Sequence, residues 1–364
     1  MRIGILTFHN SRNYGAVLQA YGLKETLSIM GHVVEVIDYR NPAIVKRKTP
    51  FAFINFIHNP IKYLALFFNI YIGYRAKVNK FNRFVTTRLN VSSHQYWPED
   101  IKTADFDAII VGSDQVWNPI ITNGPDLVYW GGYKPVNARL LAYAASSCSI
   151  EKLETEDFRN VGEWLRSFDA ISVREERLKR YVETKSVQKA TVVLDPTLLA
   201  GREIFERIAA PRLIKDRYVF LYHVETTNNL MSIAKIVAKT YSAKLVTLGT
   251  NSITHIIKHR DSDVKFINAS VEEMLSLIKY AECVVALSFH GTALYVLFEK
   301  DFYSIKGKNT DRVYNLINLL GINCNRVIDN ERDIAFEHID YGHVTEKLAA
   351  LRRESANWLS YSLK

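Results

Sequence analysis

One short stretch, Val284–Phe298 (VVALSFHGTALYVLF), has the residue types and spacing best suited to chemistry. An apolar run, Val284–Leu287, stops at Ser288. Phe289, His290 and Gly291 follow, and a helix is predicted from about Thr292. A strand, a tight polar turn and a helix start in succession expose unpaired backbone N–H groups and positive dipole, which suit an anion. A histidine in such a turn can move a proton near neutral pH. By itself the pattern also describes an ordinary strand–helix turn whose histidine is solvated or caps the helix.

Loops after other apolar runs carry polar clusters of a similar kind. After Arg2–Phe8, Gly15 would let backbone approach a ligand closely, and Asn13 and Tyr14 offer hydrogen bonds to sugar hydroxyls, or else cap the next helix. No GxGxxG occurs there, so a dinucleotide is not expected. After Ala108–Val111 come Ser113, Asp114, Gln115, Trp117 and Asn118. Asp114 can accept a proton or a hydroxyl hydrogen bond and Trp117 can stack on a pyranose ring; a helix cap and a core residue are the plain alternatives. Ser146 and Ser147 follow Leu140–Ala145, and Asp195 follows Thr191–Leu194. Arg174, where a strand gives way to a helix, is seated either to fork a carboxylate or phosphate or to pair with a nearby Glu. Lys306 closes the strand after the His290 turn, near the same rim, unless it is simply a surface lysine. Arg312 opens a helix, where a cation is disfavoured unless an anion is bound.

Elements of one particular kind must position these loops. Short apolar runs alternate with helical patterns, the signature of parallel sheets covered by helices on both faces. The 364 residues exceed one typical core. The expected fold class is α/β, with two facing Rossmann-like domains and sites at the carboxyl ends of strands. The first domain spans 1–205, the second 206–340, and a terminal helix in 341–364 packs back on the first. A basic apolar insertion at 42–90 interrupts the first domain. Between Asp38 and Glu99 no acidic residue occurs, within a chain of net charge +9. The aromatic run Phe51–Tyr74 is broken by Pro60 and Lys62, too short to span a bilayer. It suits either the interface of an anionic membrane or ordinary packing with a basic face in water. It is too apolar for a phosphate-tracking groove, so no nucleic-acid partner is expected. Three widely spaced cysteines, Cys148, Cys283 and Cys324, suggest neither a disulfide framework nor a zinc site, and no metal is expected. The N-terminal run reads as a strand rather than a signal peptide, which gives an expected cytoplasmic location, peripheral to the inner membrane face if the insertion binds lipid.

SRNYGAVLQAYGL, VGSDQVWNP, AYAASS, ISVREE, VLDPTLL and LSFHGTALYVLF, in this order, resemble the polysaccharide pyruvyl transferase family from Arg2 to about Gly321. The resemblance implies a fold similar to the GT-B glycosyltransferases and transfer of a pyruvyl group from phosphoenolpyruvate to a sugar as a cyclic ketal, commonly 4,6-linked. No cofactor is implied beyond that donor. The family's turn often reads Arg, apolar, His; here Ser288 stands at the Arg position, which shifts the anion contact to other cations. The expected donor site is Arg174, Ser288, Gly291, Thr292 and Lys306. His290 is the expected proton donor to the methylene carbon, since a bound anion favours a protonated imidazole. Asp114 is the expected base. The acceptor is expected at Asn13, Tyr14, Gln115, Trp117 and Asn118, on a polyprenyl diphosphate carrier if the insertion touches membrane. A GT-B nucleotide-sugar glycosyltransferase and a carbohydrate-binding scaffold without catalysis are the alternatives.

Overall fold

The apolar runs form strands that are buried on both faces, because helices cover each sheet from either side. The structure, a computed structural model, describes residues 1–46, 60–222, 229–249, 262–307 and 310–364, with side chains left undescribed at 46, 60–72 and 74. Two compact units divide the chain: Met1–Pro50, Val85–Ala200 and Ala349–Lys364 form the first, and Phe51–Phe84 and Gly201–Leu348 the second.

The first unit contains β1 (Arg2–Leu6), β2 (Val33–Tyr39), β3 (Val91–Tyr96), β4 (Ala108–Gly112), β5 (Arg139–Ala145), β6 (Ala170–Val173) and β7 (Ala190–Val192). They pair in parallel in the order β3-β2-β1-β4-β5-β6-β7. The second contains β8 (Tyr218–Tyr222), β9 (Lys244–Leu248), β10 (Val264–Phe266), β11 (Cys283–Ala286), β12 (Asp301–Ile305) and β13 (Val327–Ile328). Their order, β10-β9-β8-β11-β12-β13, repeats the same winding. In each sheet the chain winds outward from its first strand, then reverses to build the other half. The reversal falls between β1 and β4 and between β8 and β11. Helices on either side of such a point leave a crevice beyond the carboxyl ends of the strands, where ligands bind.

β3 was not evident from periodicity. Its sequence, VSSHQY, is polar because it is an edge strand with little core to face. From Ala349 on, the C-terminal helix Tyr341–Ser362 belongs to the first unit, held through Ser355, whose Oγ accepts from the Leu194 amide at 3.0 Å, and Trp358, 6.0 Å from the Tyr143 ring. The insertion at 42–90 groups differently from expectation. Its long helix, Pro60–Arg88, counts with the second unit as far as Phe84: Lys80 Nζ pairs with Glu273 at 2.8 Å, and Phe81 and Phe84 are buried. Much of the run Phe51–Tyr74 lies outside the described residues or where side chains are not described. Among the described residues no helix is long and apolar enough to cross a membrane.

Candidate functional site

In the second unit the turn after β11 stands at the switch point. The helix begins at Phe289 rather than Thr292 and runs Phe289–Leu297, so His290 sits inside its first turn. Ser288 is the cause of the earlier start: its extended backbone and Oγ cap the helix, accepting from the Gly291 amide at 2.9 Å. The Thr292 amide and hydroxyl both donate to the Ser288 carbonyl. The amides of Gly291 and Thr292, expected to complete an anion site, are therefore taken by Ser288, and Ser288 acts as a cap. Gly291 is needed for close packing, because a Cβ there would come within 2.8 Å of both Ser288 Oγ and Tyr295 Oη. Ser288→Ala is expected to cost about 1 kcal/mol of stability, read as a lower urea midpoint.

His290 is half-buried, its ring edge-on to Phe289 at 5.4 Å. The guanidinium of Arg312 lies 5.8 Å from the Phe289 ring centroid, so His290 and Arg312 flank one aromatic ring. Arg312 stands in the first turn of the helix Thr310–Leu320, at the end whose dipole repels it, and its buried Nε has no partner. Lys306 is exposed at the end of β12, 3.9 Å from the Asp329 carboxylate.

In the first unit a polar row runs along the carboxyl edge of the sheet. Gln19 Nε2 donates to Thr7 Oγ1 at 2.9 Å, and Thr7 Oγ1 to the Ser113 carbonyl at 3.1 Å. Ser113 Oγ shares its one hydrogen between the Ala144 carbonyl at 3.0 Å and Asp195 Oδ2 at 3.3 Å. Arg174 then donates through Nη1 to Asp195 Oδ2 (2.8 Å), through Nε to Glu175 Oε1 (3.1 Å) and through Nη2 to Ser146 Oγ (2.7 Å). Ser146 Oγ closes the ring with a 2.7 Å bond to Glu175 Oε1. Burial alone would lower the guanidinium, but Glu175, Asp195 and Asp114 hold it above its ordinary value. The backbone around this row departs from regular strand. Gly112 has φ +116°, and a Cβ there would run into the Tyr143 carbonyl; Asp114 (φ +68°) and Ala144 (φ +48°) are also left-handed. Non-glycine residues in that region cost energy and cluster at functional sites. β5 shifts register between Ala142 and Ala145, a bulge that re-aims the strand end next to Ser146.

Several sequence expectations change here. Arg174 is not an open fork: its side chain is 3% exposed and engaged by two carboxylates, the ion-pairing alternative. Trp117 cannot serve as a sugar platform, because it is fully buried, stacked on Trp130 at 4.7 Å and donating Nε1–H to the Tyr129 carbonyl. Asn13 and Asn118 cap helices, accepting from the amides of Gly15 and Ile120, and Tyr14 is buried. Gln115 is half-buried; its Oε1 accepts from Asn118 and from Cys148 Sγ. Asp114 is buried and accepts from the Gln115 amide at 2.8 Å.

A second cluster, built on the buried pair His9 and Asp38, was missed in the sequence. His9 Nε2 meets Asp38 Oδ1 at 3.0 Å, and Arg40 grips Asp38 through Nε (2.8 Å) and Nη2 (2.7 Å). The signal was available, since the loop after β1 faces the end of β2 once those strands pair. Burial pushes the Asp38 carboxyl up, but hydrogen bonds from His9 and Arg40 outweigh it and hold it well below the usual range. A depressed folded pKa adds stability above the unfolded carboxylate's pKa of about 3.9 and loses it as pH falls towards the folded value. Asp38→Asn is expected to be less stable at neutral pH yet to lose less stability than wild type from about pH 5 to 3, read by thermal unfolding. Nearby, burial raises the Asp126 carboxyl although Asn41 (2.6 Å) and Tyr39 (2.9 Å) donate to it. Among the described residues, no group of three His, Cys, Asp or Glu is arranged to hold a metal ion.

Comparison with solved structures supports the topology. S. aureus MnaA in its UDP co-structure is 10% identical, with 98% of this chain and 90% of that chain covered at TM-score 0.50. The UDP-GlcNAc 2-epimerase from Neisseria meningitidis bound to UDP-GlcNAc is also 10% identical, with 98% and 94% covered at TM-score 0.50. Identity so low shows the fold alone, which is of the GT-B type. No curated protein matches the sequence. The sequence profile of the polysaccharide pyruvyl transferases matches residues 13–309, a span that holds the polar row apart from Thr7, and the His290 turn. On that match the chain belongs to the polysaccharide pyruvyl transferase family, and is a transferase with a saccharide acceptor.

Proposed function

We propose that the protein moves the pyruvyl group of phosphoenolpyruvate onto two hydroxyls of a sugar, forming a cyclic ketal and releasing phosphate. The observation that carries this reading is the pairing of His290 and Arg312 about Phe289 at the switch point of the second sheet. A donor with both carboxylate and phosphate needs cations, and Arg312 is a cation in the first turn of a helix, where a bound anion would offset the unfavourable dipole. Lys306, at the end of the neighbouring strand, adds a second. Arg312 takes the part that the family's Arg would play at the Ser288 position.

His290 protonates the methylene carbon, making C2 electrophilic. One sugar hydroxyl adds at C2, the C–O bond to phosphate breaks, and the second hydroxyl closes the ring. Of the two hydroxyl protons, one replaces the proton given to carbon and the other leaves with phosphate. The acidic-residue-free segment between Asp38 and Glu99 supports an acceptor on a polyprenyl diphosphate carrier at an anionic membrane. Sedimentation with phosphatidylglycerol vesicles checks that part; a chain that stays in the supernatant rejects it.

The test is incubation of the chain with phosphoenolpyruvate and a panel of saccharides, followed by phosphate assay and mass spectrometry. Phosphate release coupled to a pyruvyl mass increment is expected. Release of nucleoside diphosphate from a nucleotide sugar instead would identify a glycosyltransferase. Arg312→Ala is expected to raise KM for phosphoenolpyruvate about 10- to 100-fold, the loss of one charge-assisted hydrogen bond, measured in the same assay.

A further inference from the structure

We propose that residues 335–341 form a strap over the amino-terminal edge of the second sheet, that the strap opens as one piece, and that Asp301 is its catch. The inference concerns the second unit alone and does not depend on the reaction proposed above.

Residues 334–340 form neither helix nor strand, and the helix Tyr341–Ser362 follows them. A stretch without its own backbone ladder needs other ties to stay in place. Here the ties are side chains at the start of β12 and just before β13. Asp301, the first residue of β12, accepts from the Ile339 amide through Oδ1 at 2.9 Å and meets His338 Nδ1 through Oδ2. Tyr303 Oη donates to the Ala335 carbonyl at 2.7 Å, and its ring lies edge-on to Phe336. Arg326 Nη2 donates to the Glu337 carbonyl. Tyr341 Oη donates to the Lys300 carbonyl at 2.6 Å, which fixes the helix start. All of these residues belong to the second unit.

Asp301 links the ties to one another. It holds two neighbouring strap residues, accepts from Tyr241 Oη at 3.3 Å and lies 4.0 Å from the Arg326 guanidinium. Its carboxylate is 10% exposed, so lifting the strap would admit water to it. Arg326 supplies a reason for the strap to lift easily. Its guanidinium rests on the Tyr303 ring, and its Nη1 is buried with no partner. An unpaired buried N–H costs free energy that water restores, so the closed strap carries a penalty that the open one loses. Phe336, Glu337 and His338 are exposed, and local opening favours such exposed stretches with few backbone bonds.

Cys283 reports the opening. It pairs with Asp301 in the β11–β12 register and is fully buried, and burial pushes its thiol up to about 12. A buried thiol of that kind is inert until solvent reaches it.

The test follows two reactions on the full chain. Glutamyl endopeptidase must draw the Glu337–His338 bond out of the strap to cut it, and N-ethylmaleimide must reach Cys283, which peptide mass mapping separates from Cys148 and Cys324. Cleavage after Glu282, at the start of β11, is the control for unfolding of the sheet itself. In wild type, both strap reactions are expected to outpace that control. Asp301→Asn keeps an acceptor for the Ile339 amide but loses the charge facing His338 and Arg326. It is expected to speed both reactions about 10- to 100-fold with the control unchanged. Tyr303→Phe, whose lost bond is to Ala335, is expected to speed both about 2- to 10-fold, and it decides alone if Asp301→Asn does not fold. A rise at Glu337 without a rise at Cys283, or the reverse, overturns opening as one piece. Rates that change only in step with cleavage after Glu282, or not at all, overturn the strap.

Discussion

His290→Ala is expected to lower kcat for pyruvyl transfer about 10²- to 10⁴-fold, the usual contribution of a positioned acid, with KM for phosphoenolpyruvate little changed. The ring is half-buried at a helix start, and that helix is capped by Ser288 rather than by the imidazole. The variant should therefore fold normally, and its melting temperature should stay close to wild type. That combination separates catalysis from architecture. Single-turnover phosphate release from the full chain is the measurement. If His290→Ala keeps its rate, the proton comes from elsewhere and the second unit's turn serves only to bind.

Arg174→Met is expected to have the opposite profile, with a loss of about 3–5 kcal/mol in stability, because it strands two buried carboxylates. Glu175 and Asp195 are 10% and 0% exposed, so solvent cannot replace the missing guanidinium. Arg174→Lys keeps the charge but not the fork that reaches Asp195, Glu175 and Ser146 together, and should recover only part of the loss. Equilibrium urea unfolding is the readout. An unchanged midpoint with a large rise in KM for phosphoenolpyruvate would return Arg174 to the donor.

Legibility in the sequence followed how local each determinant is. The buried strands were readable because Ala108–Gly112 and Cys283–Ala286 carry continuous apolar runs that suit little else. The loops that follow them were readable too, since a doubly wound sheet places function at strand ends. The roles of individual residues were less so, since partners far along the chain decide them. Trp117 reads as core only once Trp130 is stacked on it. Arg174 closes into a pair because β7 delivers Asp195 beside β6. His9 gained meaning from Asp38, which arrives at the end of the adjacent strand β2. The helix start at Phe289 was misjudged by three residues for a local reason: Ser288 is a strong cap, and its side chain begins the helix ahead of the apolar run.

The stacked indoles in the first unit have a spectroscopic consequence. All five tryptophans of the chain, Trp97, Trp117, Trp130, Trp164 and Trp358, belong to that unit, and the second has none. Excitation at the red edge of indole absorbance thus watches one half of the molecule unfold while the other stays dark. Set against far-ultraviolet dichroism, which sees both, the emission gives a label-free clock for whether the halves melt together or in turn.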